Sequence, residues 1–211
     1  MAGQRDDVTT DLRSQILAAA QRVIQARGAA SATTRAIAEE ARCAEGRIYR
    51  YFTDKHALFH AVAGEHFTKF VELAETLPLR AGSATVAKNL EEFVVASLRF
   101  YRAVRPVVVG ALGDREFLEE QRRHFAQTSS GPMKSIGGVS TYLRREQGLG
   151  RVAEGASPEF AARVLLGASF SQTVLEELVE PSAVTSTDER LAREMVRTVM
   201  EGLRPSPAAS A

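Results

Sequence analysis

TTRAIAEEARCAEGRIYRYFTDKHALF, residues 33–59, is the stretch whose reading decides the rest of this chain. Thr33 stands just before Arg35-Ala36-Ile37-Ala38-Glu39-Glu40-Ala41, where its hydroxyl can cap the free N–H groups of a starting helix. Ile37, Ala38 and Ala41 give that helix a narrow apolar stripe, and a helix this short is stable only when packed against neighbours. After Arg42-Cys43-Ala44, the run Glu45–Phe52 predicts a second short helix, with Cys43, Ile48 and Phe52 available to a core and Arg47, Arg50 and the tyrosines left to face outward. Two short helices joined by a tight turn, the second rich in arginine and tyrosine, form the helix-turn-helix arrangement that places its second helix in a major groove.

The same residues carry a family resemblance. Thr33-x3-Ile37-Ala38, then Gly46-x-Ile48-Tyr49-x-Tyr51-Phe52, then Lys55-x2-Leu58, resembles the DNA-binding signature of the TetR (tetracycline repressor) family of bacterial transcription regulators. Two positions depart from it. Arg42 stands where the family usually has a turn glycine, which predicts strain, because positive φ is uncommon outside glycine. Ala44 stands where a capping serine is usual, which predicts an uncapped second helix. The resemblance implies that Thr33, Tyr49, Tyr51 and Lys55 contact phosphates and that Glu45 and Arg47 are left to read bases, while a second reading leaves Glu45 only to balance the nearby arginines. Thr34, Arg35, Ala44 and Arg50 complete the expected DNA-facing set. Arginine pairs with guanine O6 and N7 and glutamate accepts from cytosine N4, so G·C pairs are expected in each half-site.

Length and composition agree with an ordinary globular protein. The 211 residues are 45% hydrophobic and 25% charged, with a net charge of +1 and one cysteine, Cys43. No stretch resembles a signal peptide or reaches the roughly 18 apolar residues of a membrane span, so a cytoplasmic protein without a membrane partner is expected. Between residues 33 and 55, Arg35, Arg42, Arg47, Arg50 and Lys55 stand against Glu39, Glu40, Glu45 and Asp54. Any attraction to nucleic acid must therefore come from one-sided placement.

The remaining pattern predicts an all-α chain: an N-terminal three-helix DNA-binding domain over residues 1–54, an effector-binding and dimerisation domain over 55–204, and a low-complexity tail over 205–211. Residues 1–10 read as a polar arm, and Leu12, Ile16, Leu17, Ala20, Val23 and Ile24 as helix one, stopped by Gly28. A long helix is expected from Lys55 to Leu77, and another from Val86, interrupted at Arg105-Pro106. A helix from Arg115 follows, and then one weakened by Gly137-Gly138. Ser157-Pro158 opens the next helix, and Thr187-Asp188 the last. His56 and His60 lie four apart on a helix, but no third ligand is placed to complete a metal site, so neither metal nor cofactor is expected.

Helices bent by Pro and Gly and lined with aromatic residues can enclose a cavity, although a continuous kinked core fits the same pattern; the resemblance favours the cavity. Candidate lining residues for a small, mainly apolar effector are Phe93, Phe100, Tyr101 and Val108, then Phe117, His124 and Phe125, then Tyr142, Phe170 and Gln172. The last two helices resemble the pair that joins two TetR-family subunits in a four-helix interface. Phe160, Val164, Ala168 and Leu175, with Leu191, Met195 and Val199, are the expected homodimer contacts. Two-fold symmetry in the protein implies a near-palindromic operator. Competing readings are a DNA-binding regulator with no effector and a helical small-molecule-binding protein or enzyme. Glu119-Glu120 and Glu176-Glu177 are adjacent pairs that diverge on a helix, and no nucleophile–base motif or phosphate loop occurs, so no enzyme is expected.

Overall fold

The computed structural model describes residues 3–128, 131–180 and 186–203, and these form helices without strands among the described residues. In order they are α1 (Gly3–Ser31), α2 (Thr34–Glu40), α3 (Glu45–Ile48), α4 (Lys55–Thr76), a 3-10 turn (Leu77–Arg80), α5 (Val86–Leu112), α6 (Arg115–Thr128), α7 (Pro132–Gly148), α8 (Pro158–Leu178) and α9 (Asp188–Leu203). Two compact units result, the first made of Met1–His66 with Ala103–Ala126, the second of Phe67–Arg102 with Gln127–Ala211.

In the first unit, Ile16, Ala19, Ala20, Ile37, Ile48 and Leu58 are fully buried, which joins α1, α2, α3 and α4 in one core. Thr33 caps α2 through its Oγ1, which accepts from the Ala36 amide at 3.1 Å. Asp54 does the same for α4, accepting from the Ala57 amide at 2.8 Å, and Thr53 donates to its second oxygen. These bonds hold the Asp54 carboxyl below its ordinary range, the Ala57 amide being the main cause. Gly28, with φ 75° and ψ 157°, kinks α1 at the predicted stop.

In the second unit a buried polar network fixes the loop before α5. Asn89 donates to Tyr142 Oη (3.0 Å) and to the Ser83 carbonyl (2.9 Å), and the fully buried Glu146 accepts from the Gly82 amide (3.2 Å) and pairs with Arg151 (3.3 Å). Burial pushes the Tyr142 hydroxyl up to about 12, so it stays a donor at neutral pH. Arg102 grips Glu176 with two nitrogens (2.7 and 2.9 Å) and reaches Asp188 at 2.7 Å, tying α5 to α8 and to the start of α9. Ser157 caps α8 as its sequence predicts.

Three expectations need correction. The first helix begins at Gly3, not Asp11. The second helix of the pair ends at Ile48 instead of Phe52, and Tyr49–Tyr51 form a turn whose amides bond to Arg47 and Ile48 carbonyls. Pro106 does not interrupt α5; burial of its neighbours Val104 and Val107 offsets a cost of roughly 3 kcal/mol for the lost hydrogen bond. Gly137-Gly138, expected only to weaken their helix, lie inside a continuous α7. Gly138 serves packing, since a Cβ there would sit 2.2 Å from the Ala74 carbonyl oxygen of α4.

Three outcomes follow from this geometry. Gly138→Ala must push α7 off α4 backbone, so it should lower stability by about 2–3 kcal/mol in a denaturant titration. Arg42 adopts φ 52°, the strained conformation anticipated from its place in the turn. Arg42→Gly should therefore raise stability by about 0.5–1 kcal/mol, the relief of left-handed strain exceeding glycine's extra entropy. Asp54 has a lowered pKa in the folded state, so its stabilisation is full above the ordinary value of 3.8 and is lost as pH falls through the folded value. Asp54→Asn should remove that component, and its melting temperature should fall less than that of the wild type between about pH 5 and pH 3.

Candidate functional site

The α2–α3 pair builds a small exposed surface from residues that the core leaves outward. Ile48 is fully buried, whereas Ala44, Glu45, Arg47, Tyr49 and Arg50 around it are exposed. Ala44 makes no side-chain cap, as its methyl group requires, so α3 is a single turn with no help at its N-terminus from its own capping residue. Thr34, the first residue of α2, supplies a link from outside. Its Oγ1 lies 2.5 Å from Glu45 Oε1 and 3.2 Å from Tyr49 Oη, so one hydroxyl touches both ends of α3.

Charge on this surface is arranged unequally. Glu40 pairs with Arg22 at 2.6 Å, Glu39 with Arg35 at 3.2 Å, and Asp54 is occupied as a cap. Arg42, Arg47 and Arg50 are exposed and have no ion pair among the described residues. The near balance of the sequence thus becomes a local excess of uncommitted guanidinium groups, each able to meet a phosphate or a guanine edge. Lys55 Nζ lies over the Phe59 ring, 5.1 Å from its centre, and Tyr51 is half-buried.

The effector candidates separate by place. Phe93, Phe100, Tyr101 and Phe170 come together in the second unit with two residues that the sequence pattern places only on general apolar surface, Phe67 and Phe70. Phe70 stacks on Phe100 at 4.2 Å and on Phe93 at 5.3 Å, while Phe67 meets Phe100 edge-on and Phe170 meets Tyr101 edge-on. Phe70, Phe93 and Phe100 are buried; Phe67, Tyr101 and Phe170 are half-buried at the margin. Burial pushes the Tyr101 hydroxyl up to about 12, so at neutral pH it is a neutral donor. Gln172 bonds to Glu176 beside the Arg102 ion pair. The i, i+3 spacing of Phe67 and Phe70 against the i, i+7 spacing of Phe93 and Phe100 is the signal that could have found the missed pair.

The other candidates stand elsewhere. Tyr142 is fully buried in the Asn89–Glu146 network. Phe117 belongs to the first unit, where His56 stacks on it at 4.7 Å and His60 meets it edge-on at 4.7 Å. These two histidines also approach Asp114 (3.4 Å) and Glu120 (3.9 Å). Val108 and Phe125 are half-buried in that same unit, and the His124 side chain lies outside the described residues. On α8, Phe160, Val164, Leu175 and Leu178 are each more than half exposed, and at Gly167 an added Cβ would meet nothing within 4 Å. They recur at helical spacing and make an uncovered apolar stripe. Ala168, Leu191, Met195 and Val199 are half-buried.

Residues 16–62 match the family model described as bacterial regulatory proteins, tetR family. No curated protein sequence matches the chain. Among solved structures, a TetR-family transcriptional regulator from Mesorhizobium loti superposes with a TM-score of 0.67 at 16% identity, over 92% of this chain and 97% of that one. SmeT, the repressor of the Stenotrophomonas maltophilia multidrug efflux pump SmeDEF, gives 0.67 at 20% identity over 92% and 97%. The regulator FadR from Bacillus subtilis in complex with stearoyl-CoA gives 0.65 at 17% identity over 90% and 99%. At these identities the likeness is one of fold, and it extends over the helices of both units. The family match falls on the helix-turn-helix itself: residues 16–62 form the DNA-binding region that the model of tetR-family bacterial regulatory proteins describes.

Proposed function

We propose that this chain is a cytoplasmic, homodimeric repressor that binds a near-palindromic operator and is released by a small, mainly apolar molecule. The observation that carries the reading is the helix-turn-helix surface on which Arg42, Arg47 and Arg50 are exposed and uncommitted while the neighbouring acids are paired or capping. In this reading residues 1–54 bind DNA, with Thr33, Tyr51 and Lys55 on phosphates and Arg47 on a guanine. Residues 55–204 bind the effector and the second subunit. The exposed apolar stripe of α8 supports dimerisation, since a contiguous uncovered patch of this kind marks an interface. Two recognition helices would then lie about 34–36 Å apart, one turn of B-DNA.

The aromatic cluster around Tyr101 supports an apolar effector with one hydrogen-bonding group. Two structural neighbours have been seen with bound ligands, FadR with stearoyl-CoA, whose acyl chain is apolar, and SmeT with triclosan. Release works as a population shift: a molecule that fits one arrangement of the dimer better than the other weakens DNA binding by its differential affinity.

Selection of sites from random duplex DNA by the purified protein tests the reading. The expected product is a palindrome containing G·C pairs, bound less tightly as salt rises. Arg47→Ala should cost about 1–3 kcal/mol on that site and relax the preference at one position of each half-site. Full retention of the wild-type preference by Arg47→Ala would remove Arg47 from base reading.

A further inference from the structure

The hydroxyl protons around Glu45 can be counted. An ionised carboxylate only accepts hydrogen bonds, so in the 2.5 Å contact with Glu45 Oε1 it is the Thr34 hydroxyl that donates. That contact commits the one proton Thr34 has. The 3.2 Å contact between Thr34 Oγ1 and Tyr49 Oη must then run from Tyr49 to Thr34. A directed chain results, Tyr49 to Thr34 to Glu45, in which both hydroxyl protons point toward the carboxylate and its second oxygen has no hydrogen bond among the described residues.

We infer that this relay holds Glu45 as a base-specificity element, with Thr34 its positioning residue, and that the open Glu45 oxygen selects a base bearing an exocyclic amine in the major groove. The inference rests on the DNA-reading function proposed above and goes beyond it in naming what orients the reader. A carboxylate on a surface that faces phosphates opposes binding everywhere except where a donor meets it. In the major groove the donors are cytosine N4 and adenine N6, whereas guanine and thymine present acceptors at the corresponding edge. Glu45 therefore discriminates by penalty as much as by attraction. A long, exposed glutamate would blur that discrimination by moving away. The Thr34 bond prevents this, and because Ala44 offers no cap it is also the side-chain bond that ties the first residue of α3 to the protein. Tyr49 has its proton committed to Thr34, so it donates to a phosphate only by opening the relay.

The test compares wild type, Thr34→Ser and Thr34→Val on a fluorescent duplex carrying the selected palindrome, on duplexes changed one base pair at a time, and on a non-cognate duplex. Thr34→Ser keeps the hydroxyl and should keep the wild-type preference at every position. Thr34→Val keeps the shape but cannot donate. It should lose about tenfold of the discrimination at the amine-bearing position while discrimination at the other positions of the same duplex is kept, a pattern that a uniform loss of stability or of phosphate contact cannot produce. Equal discrimination by Thr34→Val and wild type overturns the relay. Parallel loss on cognate and non-cognate duplexes also overturns it, making Thr34 a phosphate contact alone. A wild type that shows no base preference at any position overturns the DNA-reading function and the relay together.

Discussion

Burial of Ile48 is the constraint on which the functional end of this protein depends. A four-residue helix has no stability of its own, because the first turn fixes several dihedral angles for a single hydrogen bond. Ala44 adds no cap, and Arg42 puts a strained residue in the turn before it. Beyond the single exposed bond from Thr34 to Glu45, what remains is packing: Ile48 and Ile37 are fully buried together with residues of α1 and α4. With one side of α3 fixed in the core, its other residues have little choice but to face outward, and the reading surface is defined by exclusion from the interior.

Electrostatics then acts on a surface that packing has already fixed. Every acid near α2 and α3 is engaged, since Glu40 and Glu39 hold arginines, Asp54 caps α4, and Glu45 takes the Thr34 hydroxyl. Exposed ion pairs of this sort add little stability. Their larger consequence is to decide which arginines stay uncommitted, and so where a polyanion is attracted. In the second unit the polar groups are buried or half-buried and their role differs. Arg102 with Glu176 and Asp188, and Asn89 with Tyr142 and Glu146, fix helix and loop positions beside a cluster of aromatic rings that has no directional bonds of its own.

Local chemistry is legible in the sequence where it is decided within a few residues. The Thr33 and Ser157 caps, the missing cap at Ala44 and the positive φ at Arg42 all appear where the sequence predicts them, and the predicted stop at Gly28 appears as a kink within α1. Sequence and structure part where distant contacts override local preference. Pro106 reads as a break because a proline costs one hydrogen bond, and neighbouring burial outweighs that cost. Gly138 reads as a weak point because the Ala74 carbonyl that requires it is 64 residues away. Phe52 lies in the core without being helical, since a side chain can be buried from a turn as well as from a helix. The link from Thr34 to Glu45 and Tyr49 joins separate elements, and periodicity within one element carries no record of it, whereas the stacking of Phe70 on Phe93 and Phe100 shows only when the aromatic spacings of two helices are compared.

Native-state hydrogen exchange is the most direct test of the claim that the core, and not the helix itself, holds the reading surface in place. The amides of Tyr51 and Phe52 bond to the Ile48 carbonyl, and the amide of Ala41 bonds to the Ile37 carbonyl of α2. If α3 is held by the shared core, these amides open together and show the same free energy of exchange. Rapid, nearly unprotected exchange at Tyr51 and Phe52 while Ala41 stays protected would contradict the account, because α3 would then unfold on its own and present no fixed surface to DNA.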